Sequence, residues 1–479
     1  MNYKKYIAIK VSSYLNLSIE KIENSIVTPS DIKNGDYSLL CFKLNEKLNK
    51  SPAEVSSYLK LKLKLNDTIF EKIEVNGAYL NFFIDKYTYT KNVLRKIINN
   101  ENKCIELYNK EKYICIENSF INKNEKFNLN NYFQIIVSNI FCNLFTEMGY
   151  NVVDINSTKI LWEDFYKLLI IGFDNEIKKK LNLQKEKNFN NINLLNDLKE
   201  KNLITTINEV DIIDLEKYNM PPYIIANKNK INKNLMDLSF IIQSKAKYNF
   251  YKYIYISGKN ETTKFLQFKK MIELLGCEWG SQYINIKTGL IKFAKSDAFI
   301  RDEKYVSFSN LISETIDEIK NEWKGKNINL KDNEDLLKNI LLSGIIFSFL
   351  INYREKNIGI DFSKDFSLEK KSGPYVIYSY IKTANINYEE CNYNKFNFQK
   401  DFKLIKFLDN YKKNIKKAVE EMDPSIIIRY IIDLAEVLDN LHNQICINNN
   451  ENLEYNMVLI KVVRTLIKDS FKLIGIELI

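Results

Sequence analysis

The feature that most constrains the fold lies between residues 112 and 156. A short apolar strand, KYICIEN, is followed by a polar loop, a helix over about Asn130 to Met148, and a second strand, YNVVDIN. Strand, loop, helix, strand is a βαβ unit, and such a crossover places its two strands parallel in one sheet. The pattern resumes at KYIYISG (252–258) and the helix TTKFLQFKKMIELLG. One α/β domain with a parallel sheet is therefore predicted over about 110–340. Residues 176–236, between its two halves, are rich in Lys and Asn and read as an irregular insertion.

The organisation changes on either side. SPAEVSSYLKLKL opens with a Ser-Pro-Ala-Glu helix start and GAYLNFFI reads as a strand, which predicts a small α+β module over 1–95. Beyond the sheet, apolar residues recur at three- and four-residue spacing through 335–354, 373–385, 402–422, 425–446 and 455–475. That periodicity predicts an all-α bundle over 341–479. A chain of 479 residues has room for such a multidomain arrangement.

Several function classes drop out. The longest apolar runs, such as Ile340 to Ile351, are too short and interrupted to span a bilayer. The N-terminus MNYKKYIAIKVSSYL has no continuous apolar stretch with a cleavage site, so a cytoplasmic location and no membrane partner are expected. Seven cysteines stand singly beside one histidine, a pattern that suits neither a zinc site nor a disulfide framework, and no metal ligands are expected. That histidine, His442, reads as a packing or surface residue of the helix IIDLAEVLDNLHNQ, and without a partner it builds no nucleophilic triad. Trp162, Trp279 and Trp323 read as core anchors. A net charge of +10 favours a polyanionic partner but is spread over a long chain.

The segment KKSGPYVIYSYIKTANI resembles the S-[GA]-P-Y-[VM]-Q-Y stretch that opens the anticodon-binding bundle of arginyl-tRNA synthetases. Other segments are similar to that family in the same order: NGDYSLLCFKLNEKLNKSPAEV and VNGAYLNFFI to its N-terminal additional domain, IYISGKNETTKFLQFKKMIELLG to its strand-helix unit, and YNMVLIKVVRTLIKDSFKLIGIELI to its closing helix. The resemblance implies a class I synthetase Rossmann-like catalytic domain, an N-terminal α+β additional domain and a C-terminal helix-bundle anticodon-binding domain of the DALR type.

Carried over residue by residue, the family's chemistry does not survive. Its H-x-G-H positions fall on Asn128, Leu129, Asn130 and Asn131, so both imidazoles and the glycine are replaced. Neutral Asn gives much weaker support to charge developing on an α-phosphate, and losing such a group costs orders of magnitude in rate. The K-M-S-x-x-K-G loop falls on Asp297, Ala298, Phe299, Ile300, Arg301, Asp302 and Glu303, where carboxylates repel a triphosphate, though Lys292 and Lys295 lie near. The N-[HY]-[LIV]-G-D-W-G segment becomes STKILWE at 157–163. The Asp, Gln and His of the strand-helix unit become Gly258, Glu261 and Lys264, and the Gln of P-Y-V-Q-Y becomes Ile377. A guanidinium needs fixed carboxylate or amide acceptors, which Gly258, Lys264 and Ile377 do not provide. Ser119, Asn122, Tyr375 and Tyr378 still match and form a residual pocket wall.

The basic helices are better kept. Lys461, Arg464, Lys468 and Lys472 recur along one face of the last helix, and Lys412, Lys413, Lys416 and Lys417 form a second cluster. Such stripes bind phosphates through charge, although a solvated helix face looks the same in sequence. The resemblance implies a tRNA-binding pseudoenzyme with no cofactor, whose expected partners are tRNA and a tRNA-modifying enzyme or other protein. Two alternatives stay open: a diverged but active arginine–tRNA ligase using ATP and Mg, or a regulator that binds a protein or small ligand and keeps only vestigial tRNA binding.

Overall fold

A computed structural model describes residues 3–44, 50–63, 69–101, 109–118, 129–155, 191–227, 230–258, 261–293, 308–330, 333–353, 357–360, 362–368, 371–386, 401–447 and 453–478. The chain divides into two compact units, Met1–Glu101 with Glu390–Asp409, and Asn102–Glu389 with Asn410–Ile479.

In the first unit, strands β1 (Ile26–Val27), β2 (Tyr37–Leu40), β3 (Phe70–Asn76) and β4 (Tyr79–Ile84) form an antiparallel sheet in the order β1-β2-β4-β3. Helices α1 (Tyr3–Leu15), α2 (Ile19–Glu23), α3 (Pro52–Lys62) and α4 (Lys86–Ile98) accompany it. The Ser-Pro-Ala-Glu signal does what its chemistry requires. The Ser51 hydroxyl accepts from the Glu54 N–H, the Ser51 N–H donates to the Glu54 carboxylate, and Pro52 takes the first turn of α3. Gly35 holds φ at +86°, and a Cβ there would stand 2.8 Å from the Phe82 carbonyl oxygen, so only glycine fits beside β4. One helix of this unit arrives from far along the chain. The helical stretch read at 402–422 is two helices, α13 (Phe402–Asp409) and α14 (Tyr411–Glu420), and α13 packs on α4. The Tyr89 ring of α4 lies 5.4 Å from that of Phe402, its hydroxyl donates to Asp409 (2.9 Å), and Lys406 pairs with Asp36.

The second unit is built on the expected parallel sheet. β5 (Tyr113–Asn118), β6 (Asn151–Asp154), β11 (Lys252–Gly258) and β12 (Tyr283–Thr288) lie in the order β12-β11-β5-β6, every pair parallel. Register sorts the side chains into two faces. Tyr253 lies opposite Cys115 and Tyr283, and Tyr255 opposite Glu117 and Asn285, so these residues share one face. The other face, with Ile114, Ile116, Ile254 and Ile256, is covered by α5 (Leu129–Glu147).

The aromatic face is covered by the insertion, where structure and sequence reading differ. Its described part is regular: helix α6 (Asn191–Glu200), an antiparallel sheet β10-β9-β8-β7 made of β7 (Thr205–Ile207), β8 (Val210–Ile213), β9 (Tyr223–Asn227) and β10 (Lys230–Ile231), and helix α7 (Lys233–Tyr248). The β7–β8 hairpin turns at Asn208 and Glu209, both at positive φ, so a turn was hidden in a dipeptide with no glycine. Leu235, Leu238 and Ile241 of α7 pack with Tyr253, Tyr255 and Tyr283, together with Phe265 and Phe268 of α8 (Thr262–Leu274).

The rest of this unit is chiefly helical. After β13 (Leu290–Phe293) come α9 (Phe308–Gly325), α10 (Glu334–Leu350), β14 (Asn357–Ile360), which pairs parallel with β13, α11 (Phe362–Asp365), α12 (Gly373–Lys382), α14, α15 (Ser425–Ile447) and α16 (Leu453–Leu473). The apolar run at 340–351 is a buried core helix: every residue of α10 from Asn339 to Leu350 is buried. Phe349 meets Phe133 of α5 at 5.3 Å and Phe347 meets Phe471 of α16 at 5.9 Å, so α10 is wedged between the sheet layer and the bundle. Asn143 of α5 donates to the Leu473 carbonyl and Asn339 to that of Glu477, fixing the end of the chain against both.

Candidate functional site

In an open α/β sheet, ligands bind in the crevice beyond the carboxyl ends of the strands. Here that edge is made by the ends of β5 and β11 and by the starts of α5 and α8. Glu117, one residue before the end of β5, is 5% exposed and accepts a hydrogen bond from the Tyr253 hydroxyl (2.7 Å). Burial, and then the Glu117 charge, push the Tyr253 hydroxyl far above its usual range, so it stays a donor.

Of the H-x-G-H positions, Asn128 lies outside the described residues and Leu129 is the first residue of α5. Asn130 and Asn131 are half-buried in the first turn of that helix. Ser119, Asn122, the 157–163 segment and the loop from Asp297 through Ala298, Phe299, Ile300 and Arg301 to Glu303 also lie outside the described residues. The one histidine of the chain, His442, sits on α15 in the bundle, its Nδ1 3.9 Å from the Cys446 Sγ. It belongs to a helix of the bundle, not to the strand ends.

At the head of α8 the altered positions are fully placed. A Cβ on Gly258 would come within 3.3 Å of the Gln134 amide nitrogen of α5. Glu261 makes no side-chain cap to α8. Lys264 pairs with Asp237 of α7 at 2.7 Å, with side-chain exposures of 30% and 11%. Asp237 escaped the sequence reading, although it is the only carboxylate of α7, which is a legible signal.

The two matched tyrosines are engaged in helix packing. Ser372 caps α12 by accepting from the Tyr375 N–H (2.9 Å), and the Tyr375 hydroxyl donates to Asp439 of α15 (2.5 Å). Asp439 also pairs with Lys382. Tyr378 meets Trp323 of α9 edge-on at 5.9 Å. Ile377, in place of the family's Gln, is 1% exposed in the core. Trp323 is fully buried, as its core reading required, and Trp279 packs edge-on against Phe250.

The basic residues separate into two kinds. Lys412, Lys413, Lys416 and Lys417 of α14 are all exposed, and the last two reach Glu420 and Glu421 only loosely, at 3.8 Å. Such solvent-facing pairs add little stability. On α16, Lys468 and Lys472 are exposed and Lys461 is half-buried. Arg464 differs from all of them. Its guanidinium stacks 3.8 Å from the centre of the Tyr380 ring and donates to the Tyr380 carbonyl and, at 2.9 Å, to the Thr383 hydroxyl. Burial lowers its affinity for a proton. Arg464 joins α16 to α12 within the bundle, and its donors are used there.

The comparisons with known proteins agree with this architecture. Residues 1–84 match the family model of the arginyl tRNA synthetase N terminal domain, and residues 377–479 that of the DALR anticodon binding domain. End to end, the chain is 28% identical to the arginine–tRNA ligase of Clostridium botulinum (strain Alaska E43 / Type E3) and 27% identical to that of Clostridium beijerinckii, covering all of both chains in each case. The first alignment runs over 562 positions against the 479 residues present here, so at least 83 positions have no counterpart in this chain. Among solved structures, the fold is similar to the Thermus thermophilus arginyl-tRNA synthetase (TM-score 0.69, 14% identity, 99% of each chain). It is also similar to the Plasmodium falciparum enzyme (TM-score 0.66, 16% identity, 99% of this chain and 98% of that one). The chain thus carries the N-terminal and DALR domains of arginyl-tRNA synthetases on either side of a parallel-sheet α/β domain, and over its whole length it is similar to proteins named arginine–tRNA ligase.

Proposed function

We propose that this protein binds tRNA, with an arginine isoacceptor as the first candidate, and does not aminoacylate it. The observation that carries the reading is the placement of the sole histidine: His442 is on α15, so no imidazole stands at the start of α5, where the family uses two. Adenylate formation there would lack its donors to the developing charge on the α-phosphate. A cationic surface supports binding, with four exposed lysines on α14 and Lys468 and Lys472 on α16. Such surfaces hold phosphates through charge and lose affinity steeply with salt. The protein then acts as an adaptor, a sensor or a scaffold for bound tRNA.

A second reading, an active arginine–tRNA ligase using ATP and Mg, is favoured by the end-to-end likeness to proteins of that name. One pair of measurements decides. RNA that co-purifies with the protein is sequenced, and aminoacylation is followed with arginine, ATP and total tRNA. The proposal expects enrichment of tRNA and no arginyl-tRNA. Formation of arginyl-tRNA establishes the second reading, and absence of tRNA enrichment at low salt leaves a regulator that binds a protein or small ligand.

A further inference from the structure

Between the parallel sheet and the layer of α7 and β9 that covers it, several buried polar groups have no partner among the described residues. Tyr223 of β9 and Tyr283 of β12 are 3% and 1% exposed, and neither hydroxyl has a hydrogen-bond partner among the described residues. The Asn285 side-chain amide nitrogen is likewise buried without one. The Tyr223 ring lies 5.7 Å from that of Phe268 and the Tyr283 ring 4.8 Å from that of Phe265, so both abut α8, the helix that carries Lys264. Asp237 on α7 has a side chain only 11% exposed, and a carboxylate so far removed from water requires a positive partner.

The chain supplies that partner itself. The Lys264 ammonium stands 2.7 Å from Asp237 Oδ2 and 5.4 Å from the centre of the Phe268 ring, with its side chain 30% exposed. α8 begins just beyond the carboxyl end of β11, which places position 264 at the edge of the sheet where ligands of open α/β folds bind. We infer that Lys264 is an intramolecular plug, whose ammonium occupies the cation position of Asp237 and closes this crevice to free ligands of the guanidinium or alkylammonium class. The inference rests on the non-catalytic reading above and gives it a cause on the amino-acid side. Position 264 fails to offer an acceptor and also consumes one that remains.

The test uses the full-length protein and three variants: Lys264→Ala, Lys264→Gln, and Lys264→Ala combined with Asp237→Asn. L-arginine is the probe and L-citrulline its neutral counterpart, followed by titration calorimetry and thermal unfolding. Lys264→Ala is expected to bind L-arginine saturably and at least tenfold more tightly than wild type. Its Tm falls below that of wild type and recovers with L-arginine but not with L-citrulline. The double variant, with no charge to compensate, binds neither. If Lys264→Ala fails to fold, Lys264→Gln carries the same comparison, since it keeps the aliphatic stem against Phe268. No gain in binding by either single variant, or equal binding by the double variant, overturns the plug. Aminoacylation by the wild type, measured on the same preparation, overturns the non-catalytic reading and the plug together, so the two failures are told apart.

Discussion

Arg464→Ala separates a structural cation from a nucleic-acid contact. In sequence it continues the stripe of Lys461, Lys468 and Lys472, yet its guanidinium is stacked on Tyr380 and bonded to the Tyr380 carbonyl and the Thr383 hydroxyl. A half-exposed cation–π contact contributes about 1 kcal/mol. Two hydrogen bonds from a charged donor add about 1.5–3 kcal/mol each, discounted for the solvent that reaches the site. The substitution is therefore expected to cost about 2–3 kcal/mol of unfolding free energy, read as a lower urea midpoint. It leaves the dependence of tRNA affinity on salt unchanged. Lys468→Ala and Lys472→Ala are expected to do the reverse. Each keeps the midpoint and lowers the slope of log K against log salt by about 0.7–0.9, the loss of one phosphate contact. A normal midpoint for Arg464→Ala together with a slope reduced by a full contact would refute the assignment.

Two further outcomes follow from the packing. A Cβ on Gly373 would overlap the Ser343 backbone where α12 crosses α10, so Gly373→Ala is expected to destabilise the second unit by about 1–3 kcal/mol, seen as a lower Tm. The carboxyl group of Asp469 is held above its usual range by burial and by Glu147, against the opposing pull of Lys472 and Lys468. Its contribution to stability is thus full below its unfolded pKa and is lost as pH rises through the raised folded value. Asp469→Asn should gain more over wild type at about pH 7 than at about pH 4.5, and denaturation at the two pH values checks the sign.

The sheet was legible because buried parallel strands are continuous apolar runs: KYIYISG became β11 at residues 252–258 without a shift. The long helices were equally plain from their periodicity. Periodicity failed where one helical stretch serves two units. Nothing as strong as Gly or Pro marks the break at Asn410, since each half keeps its own apolar stripe against a different partner. The insertion was missed because its strands are only two to five residues long and its hairpin turns on Asn208 and Glu209. In the site, the sequence shows a single histidine, His442, and helical periodicity placed it on α15. The Lys264–Asp237 pair was not legible, because the two residues are 27 positions apart and meet only after α7 folds over the sheet. Arg464 shows a related limit: helical spacing places a residue at the edge of the apolar stripe but does not say which way a long side chain turns.

The docking of α13 on α4 also sets a clock. Tyr89 and Asp409 are 320 residues apart, and the N-terminal unit completes its contacts only when α13 becomes available. At the usual pace of synthesis, about 5–20 residues per second, that unit waits roughly 16–64 s with the α4 face bare. Tyr89 and Asp36 spend that interval without the partners that later cover them, so a module made early is among the last to be finished.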